Sequence, residues 1–148
     1  MLIISHFFQM LKFHFPMQNP FLKRSLNEKN ISLPAENIIL SINYYKEYLG
    51  FQLITNNIER NNIAYALLRF NNQEIILEQA ISSERTSPND VVINLNWNDN
   101  QLKQHYNELK QKVKVKKSFS KSKNGCSVFS VVDCDGNILN FQAKYSKN

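Results

Sequence analysis

The sequence has few of the residues that metal sites, disulfide frameworks and disordered linkers require. Its two cysteines, Cys126 and Cys134, match no metal-binding spacing and cannot make a disulfide framework. We therefore expect reduced thiols in a cytoplasmic protein. The chain has 3 glycines and 4 prolines, which argues against a disordered or linker-rich chain. At 148 residues, 43% hydrophobic and 20% charged, the sequence predicts one globular domain.

Histidine is scarce as well, and this limits the available catalytic chemistry. Two of the three histidines lie in the first sixteen residues, and His105 is alone in the rest of the chain. A Ser-His-Asp or Cys-His arrangement is therefore not available within the domain. We expect His105 to lie on a helix beside Tyr106 and to face solvent.

The sequence also lacks an apolar run long enough to cross a bilayer. The first sixteen residues are apolar but interrupted by polar ones, with no charged segment before them and no small-residue cleavage site after them. We expect residues 1–29 to be a loosely structured extension, with Met10 and Met17 as alternative starts of translation. An amphipathic segment that binds a partner or a membrane surface is the alternative, because apolar residues recur at roughly helical spacing: Leu2, Phe7, Leu11 and Phe15.

Positive charge is concentrated in two stretches of this chain, whose formal net charge is +6. One stretch precedes the domain, and the other is the lysine-rich segment 110–123. Lysines alternate with Val113 and Val115 there, as in a half-exposed strand whose lysines prevent unwanted pairing at a sheet edge. Contact with an anion or a nucleic acid is the alternative. No aromatic residues interleave with Lys112, Lys114 and Lys116, so we expect no nucleic-acid partner.

The remaining sequence contains a duplicated αβ module. Asn37 and Asp99 read as the N-caps of two helices 62 positions apart, and Glu78 and Asn140 close apolar strands at the same interval. Each helix follows one predicted strand and precedes three. We therefore predict an α+β domain over residues 30–144, with two βαβββ modules at about 30–80 and 91–144.

Two segments resemble a known superfamily. Leu33–Asn37 (LPAEN) and Ser41–Phe51 (SINYYKEYLGF) look like the opening helix of the vicinal oxygen chelate superfamily, which contains glyoxalase I, extradiol dioxygenases and bleomycin resistance proteins. Val132–Leu139 (VDCDGNIL) resembles its closing Asp-Pro-Asp-Gly hairpin, with Cys134 in place of proline. The Leu33-Pro34 opening is most similar to the bleomycin resistance branch. The resemblance implies a U-shaped mixed sheet with helices on its outside, an enclosed ligand, and a homodimer.

The resemblance also implies where a metal would bind. Enzymes of the superfamily place four ligands on the concave sheet, on the first and last strand of each module. The corresponding positions here are Asn30, Glu78, Val92 and Asn140. Only Glu78 is a conventional ligand for a transition metal. We therefore expect no metal, no cofactor and no catalytic residue.

Strand alternation predicts which side chains face the concavity. The candidate ligand-binding residues are Asn30, Ser32, Ile76, Glu78, Asn94, Asn96, Asn140 and Gln142. Carboxamides, one hydroxyl and one carboxylate suit a polar organic molecule, although asparagines on a half-exposed sheet are common. We expect the amides to contribute little to folding, and Trp97 to lie in the core.

The leading functional prediction is a metal-free small-molecule-binding protein that confers antibiotic resistance by sequestering a drug. Bleomycin-type drugs are cationic whereas this chain is basic, so another amphipathic compound is the expected ligand. Two alternatives remain open. One is a lyase or dioxygenase of the superfamily with an atypical site, and the other is a dimeric interaction module without a small ligand.

Overall fold

The computed structural model describes residues 31–59, 62–80 and 89–143. The chain divides into two compact units, Met1–Asn30 and Ile31–Asn148, and the first lies outside the described residues. The predictions for Asn30, for the N-terminal extension and for most of the connector between the modules therefore fall outside them too. Within the described ranges, no helix is both long and apolar enough to span a membrane.

The second unit contains two modules, each with one strand, one helix and three further strands. The first module consists of β1 (Ile31–Ala35), α1 (Ile38–Glu47), β2 (Gln52–Glu59), β3 (Asn62–Phe70) and β4 (Gln73–Gln79). The second consists of β5 (Asp90–Leu95), α2 (Asp99–Leu109), β6 (Lys114–Lys121), β7 (Ser127–Val132) and β8 (Ile138–Ala143). The predicted α+β class with two βαβββ modules is confirmed.

Each module builds one four-stranded sheet. The strand orders are β1-β4-β3-β2 in the first sheet and β5-β8-β7-β6 in the second. The pairs β1–β4 and β5–β8 are parallel, and the other pairs are antiparallel. β2 and β6 are edge strands, and each contains two register shifts. Such irregularities discourage pairing with other chains, as lysines do on β6.

The helix starts follow from capping chemistry. Asn37 caps α1 as predicted, since its side chain accepts a hydrogen bond from the Leu40 amide at 3.2 Å. The prediction that Asp99 caps α2 is wrong. The cap is Asn98, whose side chain and backbone exchange hydrogen bonds with Gln101 in a capping box. The two caps are therefore 61 positions apart, not 62.

Asp99 has a different role in the first turn of α2. Its carboxylate accepts a hydrogen bond from the Ser127 hydroxyl at 2.7 Å and forms an ion pair with Lys121 at 2.8 Å. A negative charge in the first turn also interacts favourably with the helix dipole. Asp99 thus ties the start of α2 to strands β6 and β7.

One hydrophobic core contains side chains from both modules. In each sheet, alternate residues point towards the helices, so that Leu33 and Leu77 in the first module and Phe141 in the second are fully buried. The Phe70 ring, at the end of β3, lies 5.7 Å from that of Phe141 and 5.6 Å from that of Trp97. The helix-side faces of the two sheets therefore share one core.

His105 is part of this core, so the prediction that it faces solvent is wrong. Its exposed fraction is 9%, and its ring lies 5.0 Å from that of Phe70. Leu102, His105 and Leu109 occupy one face of α2, which packs on the second sheet. Phe70 of the first module covers the same face, and this contact is invisible in the sequence of α2 itself.

Candidate functional site

The candidate ligand-binding residues lie on the strand faces opposite the helices, which we call the outer faces. Ser32, Ile76 and Glu78 lie on the outer face of the first sheet. Asn94, Asn140 and Gln142 lie on that of the second, with Asn96 just beyond the end of β5. The core residues between them point the other way. The structure thus groups these side chains on two sheets, and Asn30 lies outside the described residues.

The outer face of the first sheet has an apolar centre. Ile76 is flanked in register by Ser32 and Leu67. The exposed fractions of Ile76 and Leu67 are 3% and 4%, although neither belongs to the core shared with the helices. Glu78, one row further along β4, is exposed. This face therefore combines an apolar patch with one carboxylate at its margin.

The outer face of the second sheet is polar, and its central row crosses all four strands. Val92, Asn140, Ser130 and Lys117 lie side by side in this row. The Ser130 hydroxyl donates to Asn140 Oδ1 at 2.5 Å. Asn140 Nδ2 donates to the Asp90 carboxylate and, at 3.0 Å, to a backbone carbonyl of β5. The Asn140 amide is thus fully engaged within the sheet, contrary to the expectation that it contributes little to folding.

The neighbouring row of the same face contains two amides that can form hydrogen bonds with a ligand. Asn94 on β5 and Gln142 on β8 are directly paired in register. Neither side chain has a hydrogen-bond partner within the described part of the chain. Asn94 is exposed and Gln142 half-buried. Both can exchange hydrogen bonds with solvent or with a bound molecule.

Lys117 is a residue of this face that the sequence analysis missed. The register of β6 against β7 shifts between Val115 and Lys117, so Lys116 is an extra residue in the strand. The shift aligns Lys117 with Ser130 on the outer face, whereas strict alternation would turn it towards the helix. Lys117 forms no ion pair with any residue in the described ranges. Only the observed register reveals this position.

A separate polar network joins the two modules on the helix side. Asp133, at the end of β7, accepts hydrogen bonds from the Tyr45 hydroxyl at 2.7 Å and from the Asn137 side chain at 2.8 Å. Its other oxygen accepts from the backbone amides of Asp135 and Asn137. Burial raises the pKa of Asp133, and these hydrogen bonds oppose that effect. The network links α1 to the β7–β8 turn. Within it, Asn137 Oδ1 is buried and has no hydrogen-bond partner among the described residues.

The titratable groups near this network are not poised for nucleophilic catalysis. Burial raises the pKa of the Cys134 thiol to about 11, so the thiol stays protonated at neutral pH. Burial raises the pKa of Tyr45 well above its ordinary value, because its hydroxyl is enclosed beside Asp133. Burial also lowers the pKa of His105 to about 4, which keeps its imidazole neutral. For Tyr45 and His105 these shifts are the consequences of packing in the core. Cys134 lies outside the core, exposed in the β7–β8 turn.

The outer faces offer little to a metal ion. In register, Glu78 lies beside Pro34, and Asn140 lies beside Val92. Each of these pairs therefore supplies one polar side chain, and Asn140 already uses its own. Across residues 31–59, 62–80 and 89–143, no three His, Cys, Asp or Glu side chains are grouped so that they could hold a metal ion.

Solved structures share this arrangement of elements. The chain is similar to TioX from Micromonospora sp. ML1, with 12% identity, a TM-score of 0.63, and coverage of 80% of this chain and 97% of that one. It is also similar to a glyoxalase/bleomycin resistance protein/dioxygenase from Nocardioides, with 13% identity, a TM-score of 0.59, and coverage of 80% and 83%. This chain has the vicinal oxygen chelate fold. Protein SA1046 from S. aureus is a further match, with 18% identity, a TM-score of 0.58, and coverage of 80% and 98%.

The fold is the one implied by the resemblance at Leu33–Asn37, Ser41–Phe51 and Val132–Leu139. No family model matches the sequence, and no curated protein matches it either. At these low identities the solved structures share the vicinal oxygen chelate fold with this chain, and the fold alone. A shared fold does not determine function, which depends on the chemistry of the outer faces.

Proposed function

We propose that this protein binds a small organic molecule on the outer faces of its sheets without a metal ion. The observation that carries the proposal is the Asn94–Gln142 pair, two adjacent amides with no partner among the described residues. Water satisfies such amides in the free protein. A ligand that replaces this water and encloses the pair must match its donors and acceptors, so the pair favours a polar partner group.

The outer face of the first sheet favours a ligand that also has an apolar part. Ile76 and Leu67 form its apolar centre, and Glu78 lies at the margin. A molecule with one apolar and one polar part would use both kinds of surface. Sequestration of such an amphipathic compound, including a drug, is the activity that we propose for this protein in the cytoplasm. The words "bleomycin resistance protein" in the name of the Nocardioides neighbour support this class of function.

We further propose that the protein acts as a homodimer. The outer faces lie on the far side of each sheet from the shared core, so a second copy that covers one of them would enclose a ligand. Val92 is a large apolar side chain that stands exposed on the outer face of the second sheet, where a second copy could cover it. Light scattering after size exclusion should give twice the chain mass of 17.4 kDa, and a monomer at all concentrations would contradict this assembly.

The experiment that tests the binding proposal is a thermal-shift screen of the full chain with small organic compounds. Compounds that stabilise the protein are then titrated calorimetrically into the wild type, Asn94→Leu and Asn43→Leu. Asn43 is an exposed amide on α1 and serves as the matched control. We expect Asn94→Leu to weaken binding by about 1–3 kcal/mol for each hydrogen bond that is lost, and Asn43→Leu to bind as the wild type does.

Two outcomes would count against the proposal. If no compound raises the melting temperature, or if Asn94→Leu and Asn43→Leu bind equally well, the amide pair does not hold a ligand. Metal analysis of the same preparation examines the enzymatic alternative. A stoichiometric transition metal whose removal lowers the melting temperature would favour a lyase or dioxygenase, because a bound metal stabilises the folded state.

A further inference from the structure

We infer that the second outer face selects a ligand with an anionic group, a carboxylate or its equivalent, and that Lys117 provides the charge that binds it. The inference rests on the proposed function and specifies the chemistry of its ligand. It assigns a role to Lys117 beyond protection of an edge strand. The register of β6, the charge balance of the face and the position of the free amides support it independently.

The register turns this lysine onto the face. β6 has register shifts on both sides of Lys117, one after Val115 and one before Ser120. Lys117 is consequently in line with Ser130 and Asn140, at the end of the central row. Register shifts alone already hinder pairing at an edge. The alignment of the ammonium group with the outer face is an additional feature that edge protection does not require.

Within the described ranges, Lys117 has no counter-ion. Asp90 is the one acidic residue on the described strands of this outer face, and its carboxylate accepts a hydrogen bond from Asn140. Asp90 lies on β5 and Lys117 on β6, at opposite edges of the sheet. Three strand spacings separate the two strands by roughly 14 Å, which exceeds the screening length of about 8 Å at physiological salt. Lys114, on the same edge and the same face, adds a second positive charge.

The amides of Asn94 and Gln142, which have no partner among the described residues, complete the site. Gln142 lies on β8, two strands from Lys117 on β6, so the strands are roughly 10 Å apart. A carboxylate above β7, between Val128 and Ser130, can accept from the Lys117 ammonium on one side and from the Gln142 amide on the other. Hydrogen bonds of this kind from a charged donor are about twice as strong as neutral ones. The amide alone could not distinguish an anion from a neutral polar group, whereas the lysine can.

The test uses three probes with the same ring system and different charge: 1-naphthoate, 1-naphthamide and 1-naphthylmethylamine. Each is titrated calorimetrically into the full chain at low and at high salt. We expect the anion to bind at least tenfold more tightly than the amide or the amine at low salt, and this preference to shrink at high salt. Lys117→Met should abolish the preference. The control is Lys116→Met, which removes the neighbouring lysine in the register shift and should retain the preference for the anion. Thermal melts check that both variants are folded.

The outcomes separate this inference from the proposed function. If the three probes bind with equal affinity, or if Lys117→Met and Lys116→Met behave alike, the anion preference is refuted while binding itself stands. If none of the probes binds, the inference is also overturned, and the compound screen decides whether the face binds any ligand. A preference for the amine would assign Glu78 on the first sheet, rather than Lys117, as the charge that selects the ligand.

Discussion

Lowering the pH should destabilise this protein through a single buried side chain, His105. Its imidazole is surrounded by the rings of Phe70, Trp97, Phe129 and Phe141 at centroid distances of 5.0–6.0 Å. Its Nε2 atom has no hydrogen-bond partner within the described part of the chain. Protonation would place a positive charge among these rings, and burial accordingly lowers the pKa of His105 from 6.5 to about 4.

The sign and size of the effect follow from the two pKa values. Between pH 6.5 and about pH 4, the unfolded chain binds a proton at this histidine and the folded chain does not. Stability from His105 is therefore present above pH 6.5 and is lost as the pH falls towards 4. From pH 7.5 to pH 5.0 the loss in unfolding free energy amounts to about 2 kcal/mol.

Urea denaturation of the wild type and of His105→Leu at both pH values measures this loss. Other titrating groups affect both proteins, so the difference between them isolates the histidine. At pH 7.5 we expect similar stabilities, because the substitution loses ring contacts but also removes an unpaired buried nitrogen. At pH 5.0 the variant should gain about 2 kcal/mol relative to the wild type. Equal losses in both proteins, or an NMR titration of His105 near 6.5, would refute the reasoning.

Two further predictions concern hydrogen bonds. Tyr45→Phe removes a 2.7 Å bond to the Asp133 carboxylate and should lower the unfolding free energy by about 1.5–3 kcal/mol. Tyr44→Phe loses only a 3.4 Å contact with a backbone carbonyl and should lower the unfolding free energy by less. Equal urea midpoints for the two variants would argue against a stabilising contact between the modules through Asp133. Asn140→Leu leaves its neighbours on β5 and β7 without a partner and should cost about 1–3 kcal/mol, whereas Asn94→Leu should leave stability unchanged. Thermal melts compare this pair, and an Asn140→Leu protein as stable as Asn94→Leu would show that the row contributes nothing to folding.

Much of the fold could be predicted because its signals are local. The Asn37 cap and the hairpin turn at Asp133–Asn137 each depend on the conformational preferences of a few consecutive residues. The order of strands and helices followed from apolar periodicity. The error at Asn98 arose because two good capping residues are adjacent. The Gln101 side chain, three residues after Asn98, was the signal that could have distinguished them.

The features that could not be predicted depend on contacts between modules or on register. Asp133 read as a turn residue, and nothing near it in the sequence indicates that Tyr45 would donate to it. His105 read as a polar helix residue, although its spacing from Leu102 and Leu109 was consistent with burial. Lys117 faces the candidate site because of a register shift, and alternation cannot anticipate an extra residue.

The core shared by the two modules makes the repeat cooperative. In an array of stacked repeats each unit contacts only its neighbours, and the ends can unfold while the middle remains folded. Here the Phe70 ring of the first module packs against His105 and Phe141 of the second, and Tyr45 of the first bonds to Asp133 of the second. Unfolding either half would expose apolar surface in the other and would break the hydrogen bond between Tyr45 and Asp133. The duplicated modules therefore form a single folding unit, in which a destabilising substitution in one half lowers the stability of both.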